Sequence, residues 1–320
     1  LHTALSEAEN RSTRMLLERI MELVKKYDKP VAFYVSTSAQ EVVNLKANYP
    51  FPIFTQVVET VRALEMSYAV YTGMGKVHAK DKIPSYPVDR AKVRSLIGSA
   101  QAVGRDLLLS EALEVLEYYG IPTVRSVMAA TVADATAAAE QMGYPVAVKI
   151  VAEQISHKSD VGGVQLNLRN GPAVTAACED MLARIHKAYP DVKIDGVLVQ
   201  PMITGGRELI LGGRQDPQFG PVVLVGLGGI FVEIFEEVMV RVAPISPAVA
   251  REMIDGLRGA AILKGARGHQ PSDTEALAQA LLRLSQLLVN FPEIQEVDIN
   301  PLRVFGEGEG CAALDARIIL

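Results

Sequence analysis

The stretch His157 to Gly163 reads HKSDVGG, and it follows by eight residues a lysine, Lys149, set inside the apolar run PVAVKIV. An imidazole such as His157 can take up a phosphoryl group as a nucleophile, and an ammonium such as that of Lys158 neutralises phosphate charge. Gly162 and Gly163 lack the side chains that keep backbone N–H groups away from phosphate oxygens. Asp160 lies close enough in sequence to fix the tautomer of the His157 ring. A lysine on a buried strand is costly without an anion, so Lys149 points to a ligand of negative charge. Together these residues point to phosphoryl chemistry.

The elements that would position them follow from pattern. Val146 to Val151 has the length and β-branched content of a buried strand, and the histidine loop follows it. Near the C-terminus, DINPL and LDARI read as two strands joined by a Gly-Glu hairpin, so Asn300 and Asp315 are expected on paired strands where two oxygen ligands can converge on Mg²⁺. Asp298, two residues before Asn300, shares its face by the period-two rule and is a third metal candidate.

Residues 1 to about 75 alternate helix and strand in the order α-β-α-β-α, with helices near 6–27, 38–47 and 57–71 and strands VAFYVS and FPIF. Such alternation implies a parallel sheet, but two strands are too few for a stable one, so this piece needs further chain or a partner. Leu1 is not an initiator methionine, which fits a start inside a longer polypeptide. GMGKVHAKDKIPSYP, 73–87, reads as a polar linker, with His78 solvated in it, and a helical segment follows from Val88. Ser110 is a plausible cap for EALEVLEYYG. Beyond Ile121 strands outnumber helices, and antiparallel pairs are expected.

Composition narrows the classes. With 320 residues, 49% of them hydrophobic, the chain is long enough for two domains with real cores. The formal charge of −5 and the absence of long basic runs argue against a nucleic-acid partner. No run approaches a membrane span and no signal pattern opens the chain. Two cysteines, Cys178 and Cys311, without CxxC spacing exclude a disulfide framework or cysteine zinc site and fit a reducing cytoplasm, where small-molecule ligands are expected.

The ordered series PVAVKI, SHKSDVGGV, VLVQPMI, GRELILGG, VGLGGIFVE, LKGARG, VDINPL and ALDARI resembles the ATP-grasp module of the NDP-forming (ADP-forming) acyl-CoA synthetases, the acetate–CoA ligase family related to the succinyl-CoA synthetase beta subunit. The resemblance implies an α/β chain: an ATP-grasp fold of two α+β subdomains over 105–320, a linker and helix over 76–104, and over 1–75 the C-terminal part of a flavodoxin-like CoA-ligase domain. It implies ATP/ADP and Mg²⁺ as cofactors, with CoA bound mainly by domains absent from this chain. Those CoA-binding and phosphohistidine domains are the implied partners, and an oligomer is expected.

The resemblance also assigns roles. Lys149 matches a lysine on the nucleotide phosphates, and His157 matches a histidine that is transiently phosphorylated. Asn300 and Asp315 match metal ligands. Val199, Gln200 and Met202 match the hinge whose backbone reads the adenine edge, Pro201 having no N–H. Glu208 is expected near the ribose or a metal, or equally as a cross-strand salt-bridge partner. Arg267, between glycines, would clamp a phosphate or carboxylate or else be a solvated loop residue. Gly226, Gly228 and Gly229 would form a phosphate-facing turn followed by Glu233, while His186 and His269 are expected at the surface. Two other readings are a beta-type subunit of a succinyl- or malate-CoA ligase, disfavoured by the SHKSD loop, and a non-catalytic sensor as in acetyltransferase-fused relatives, disfavoured by the intact His, Lys, Asn and Asp set.

Overall fold

The computed structural model describes residues 2–3, 6–27, 29–77, 82–155, 158, 160–229, 238–265 and 270–320, with the backbone alone described at 2–3 and 72–77. The chain divides into two compact units, Leu1–Lys80 and Asp81–Leu320. Among the described residues, no helix is long and apolar enough to cross a membrane.

In the first unit β1 (His2–Thr3), β2 (Phe33–Ser36) and β3 (Ile53–Phe54) form a parallel sheet in that order, with α1 (Glu7–Tyr27), α2 (Ala39–Asn48) and α3 (Val57–Val77) between and after them. Sequence reading finds two strands here and the fold has three, because His2–Thr3 carries no apolar run and is a strand by its pairing with β2. Ser38 caps α2 by accepting the Glu41 N–H at 3.3 Å. The core is small, with Leu17, Phe33, Val35, Leu45 and Ile53 at its centre. Helix α3 continues to Val77, past the glycine at 73 where the linker was expected, and leaves Val58, Val61, Met66, Tyr68, Val70 and Tyr71 exposed.

The second unit opens with α4 (Arg90–Ala102), which buries Val93, Ile97 and Ala100 in the large core and so belongs to this unit rather than to a linker. Helix α5 (Leu109–Tyr118) begins earlier than the Ser110 cap suggests, because Glu111 reaches back to accept the Leu108 N–H at 2.8 Å. Burial works against the Glu111 carboxylate, yet hydrogen bonds from both Arg105 Nη atoms, at 2.6 and 2.8 Å, and from Leu108 hold its pKa below the usual range.

Two antiparallel sheets follow. The smaller has the order β4-β7-β5-β6, from β4 (Val127–Ala129), β5 (Val146–Val151), β6 (Val164–Leu168) and β7 (Gly196–Pro201). Helices α6 (Val132–Met142) and α7 (Gly171–Ala188) cover one of its faces. The larger sheet has the order β10-β9-β8-β11-β12, with β13 also paired to β11. It comprises β8 (Arg207–Asp216), β9 (Gly220–Leu227), β10 (Val238–Val242), β11 (Glu296–Val304), β12 (Cys311–Ala313) and β13 (Ala316–Ile319). Helices α8 (Pro247–Asp255), α9 (Ala260–Leu263) and α10 (Thr274–Asn290) contribute to the core of this half, and Leu288 of α10 lies so close to Gly213 that a Cβ there would meet it. Leu209, Leu211 and Gly213 therefore face α10, and Glu208, Ile210 and Gly212 face away from it.

Candidate active site

Every residue of β5 is buried, so both of its faces are covered. Val146, Val148 and Ile150 pack with Val197 and Val199 of β7 in the core made by α6 and α7. The antiparallel register sets Ala147 opposite Gln200, Lys149 opposite Leu198 and Val151 opposite Gly196, so these side chains share the other face. Val151 and Leu198 belong to the core of the larger sheet, which places Lys149 and Gln200 on the side turned toward it.

Lys149 is 7% exposed. Its Nζ donates to the Leu314 carbonyl at 2.6 Å and to Asp315 Oδ2 at 3.2 Å, while Lys158 Nζ approaches Asp315 Oδ1 at 3.2 Å from the histidine loop. Burial lowers the Lys149 pKa and the Asp315 carboxylate opposes that shift. Two ammonium groups thus share one carboxylate in a largely dry place. The excess positive charge is what an additional anion, such as a phosphate group, would neutralise.

Asp315 lies in the turn between β12 and β13, beside Asn300. The Asn300 N–H donates to the Asp315 carbonyl at 3.2 Å and the Leu314 N–H to the Pro301 carbonyl at 3.0 Å. Asp298 pairs across the sheet with Gly212 and Arg317, on the same side of β11 as Asn300. Among the described residues no three His, Cys, Asp or Glu side chains converge as a metal cluster. The oxygen donors of Asp315, Asn300 and Asp298 nonetheless suit a hard cation that keeps much of its water. A cation bound to Asp315 would take over an oxygen that now serves a lysine.

Along the expected hinge, Val199 lies within the ladder between Val127 and Val148, and the Met202 N–H is given to the Pro145 carbonyl at 3.0 Å. The Gln200 side chain is the group left without a described partner. Gln200 is 3% exposed and its Nε2 has no hydrogen-bond partner.

Glu208 sits opposite Arg303 in the β8–β11 register and binds its Nη2 at 2.7 Å, the cross-strand pair that was one of the two expectations for it. Gly228 gives its N–H to the Glu208 carbonyl at 2.8 Å, and a Cβ there would lie 2.9 Å from that backbone. Gly229, at φ +63°, lies over the Glu208 carboxylate, so these glycines let the turn rest on Glu208. The Gly163 N–H, expected to face phosphate, instead donates to the Lys158 carbonyl at 2.6 Å, and a Cβ at Gly163 would collide with Ile150. This glycine seats the loop on β5.

His157, Arg267, Glu233, His269 and His78 lie outside the described residues. Sequence reading missed Arg303 and the Lys158–Asp315 pairing. The signal for Lys158 was its place beside His157; its partner is 157 residues away in the chain and no local pattern marks it.

The fold is that of an ATP-grasp domain, and a model of the ATP-grasp domain matches residues 99–320. The beta subunit of acetate–CoA ligase (ADP-forming) I from Pyrococcus furiosus is 44% identical over 72% of this chain and 98% of its own length. The 4-hydroxybutyrate–CoA ligase (ADP-forming) of Nitrosopumilus maritimus is 37% identical over 95% of this chain, which spans 44% of that protein. Acetyl-coenzyme A synthetase 1 of Ca. Korarchaeum cryptofilum, solved with coenzyme A and Ca-AMPCP, superposes with a TM-score of 0.68 at 42% identity, covering 71% of this chain and 99% of that one. Its complex with coenzyme A and Mg-AMPPCP, whose phosphohistidine segment points towards the nucleotide binding site, gives a TM-score of 0.62 at 40% identity over the same shares of the two chains. The chain belongs to the ATP-grasp family of ADP-forming acid–CoA ligases. It spans less than half the length of the 4-hydroxybutyrate ligase and matches the separate beta subunit almost end to end.

Proposed function

We propose that this chain is the nucleotide-binding, phosphoryl-transferring portion of an ADP-forming acid–CoA ligase, which catalyses acid + ATP + CoA ⇌ acyl-CoA + ADP + phosphate. The observation that carries the reading is the pair Lys149 and Lys158 sharing the single carboxylate of Asp315 between the two sheets. Lys149, on a rigid strand, holds the phosphates of the nucleotide, and Lys158 neutralises charge beside His157. Asp315 and Asn300, with Asp298, would hold Mg²⁺, which supplies further neutralisation of the phosphates when bound.

His157 acts as the relay nucleophile. Its imidazole nitrogen receives a phosphoryl group from a phosphohistidine on a partner domain, and the new P–N bond breaks when an oxygen of the ADP β-phosphate attacks phosphorus, giving ATP and free imidazole. The Korarchaeum relative, with its phosphohistidine segment directed at the nucleotide site, supports this route. The CoA-binding and phosphohistidine domains come from another chain or from further polypeptide, and the exposed side chains of α3 suit a unit that joins them. Acid specificity belongs to those domains; relatives acting on acetate and on 4-hydroxybutyrate share this portion. The setting is the cytoplasm, in an oligomer.

The reading is tested with γ-³²P-ATP and Mg²⁺. Run backwards, the relay places acid-labile, alkali-stable label on His157, and His157→Ala removes it. Label that persists in His157→Ala with the partner absent overturns the relay. Absence of a thermal shift with ADP and Mg²⁺ overturns the nucleotide site itself, since ligand binding must stabilise the fold.

A further inference from the structure

Gln200 has no assigned use for its side chain. A buried amide N–H group without a partner gives up its hydrogen bonds to water for nothing, so such groups are rare in folded proteins unless a ligand or water meets them. The Gln200 side chain is on the same face of the sheet as Lys149, two rungs away, because Ala147 faces Gln200 and Lys149 faces Leu198. Successive same-face positions on a strand are about 7 Å apart, so a nucleotide whose phosphates lie on Lys149 and which runs along β7 toward Met202 brings its base to Gln200. Next to it the Met202 N–H is already spent on Pro145. The carboxamide is thus the described N–H donor left to read that base.

Resting on the nucleotide-site reading above, we propose that the carboxamide of Gln200 selects adenine over guanine by pairing with the N6/N7 edge. The Nε2 group donates to N7 and Oε1 accepts from the N6 amino group, the two-bond match that glutamine makes with adenine. Guanine presents two acceptors at the same edge, N7 and O6, so Oε1 meets an oxygen and one bond is lost.

The test is titration calorimetry on the full chain with Mg²⁺ and one of four probes: ADP, GDP, IDP and 7-deaza-ADP. The wild-type chain is expected to bind ADP roughly tenfold or more tightly than GDP or IDP, and 7-deaza-ADP more weakly than ADP. In Gln200→Met, of similar length but without the amide, ADP and GDP affinities are expected to converge to within about threefold and the 7-deaza penalty to vanish. Equal binding of ADP and GDP by the wild-type chain overturns the assignment while leaving the nucleotide site standing. So does a Gln200→Met chain that keeps its ADP preference and melts at a higher temperature, the behaviour of a merely buried amide. Should that variant not fold, the four probes on the wild-type chain decide alone. Binding of no nucleotide overturns the site and the assignment together.

Discussion

The two faces of the small sheet use the same strands for opposite ends. On the face under α6 and α7, Val146, Val148, Ile150, Val197 and Val199 are all buried and apolar. On the other, Lys149 and Gln200 are equally buried and polar, one tied to Asp315 and Leu314 and the other without a partner. Burial alone therefore does not distinguish packing from chemistry; the partners do. The apolar face contributes stability through removal of area from water, and the polar face gives up part of it to hold charge and a polar amide out of water.

Substitutions on the two faces should separate these contributions. The largest effect is expected at Ile150→Ala, which leaves a cavity against α6 and α7 and costs about 2–5 kcal/mol of unfolding free energy, read by denaturant titration. A loss below about 0.5 kcal/mol would mean that this face is not the supporting one. Next, Lys149→Met should weaken ADP binding roughly 10- to 100-fold by calorimetry, since hydrogen bonds to charged groups are strong. Its unfolding free energy should stay within about 1 kcal/mol of wild type, because an apolar side chain replaces a buried ion and Lys158 still pairs Asp315. Unfolding of this variant with no separate binding defect would merge the two faces into one structural role.

The smallest effect concerns Cys178, packed in the apolar core on α7. Burial raises its thiol pKa to about 11, and that of Cys311 likewise to about 11. The neutral thiol persists below that pH, so at pH 8 each carries roughly a hundredfold less thiolate than a free cysteine. Neither should react with a disulfide reagent in the folded chain, and both should in denaturant. Rapid labelling of Cys178 without denaturant would show that the apolar face opens.

Much of the placement of the candidate site's residues was legible because it depends on local pattern. Strand β5 was visible in its β-branched run, Lys149 in its setting, and the C-terminal pair in the hairpin between DINPL and LDARI, which brings Asn300 beside Asp315. Strand β1 was not legible, since His2–Thr3 carries no apolar run and is a strand by its pairing with β2. The start of α5 was misplaced because the cap comes from Glu111, inside the helix, rather than from a residue before it.

By itself the sequence determined the alternation of elements, the apolar faces and the identity of the charged groups, since these follow from period and residue type. The tertiary structure decided which charges meet. Lys149 and Lys158 lie close together in the chain, but only the return of the C-terminal strands sets Asp315 between them. It also decided that the Met202 N–H is spent within the sheet while the Gln200 amide is not. A hydrogen bond acts over about 3 Å of space, whatever the separation along the chain.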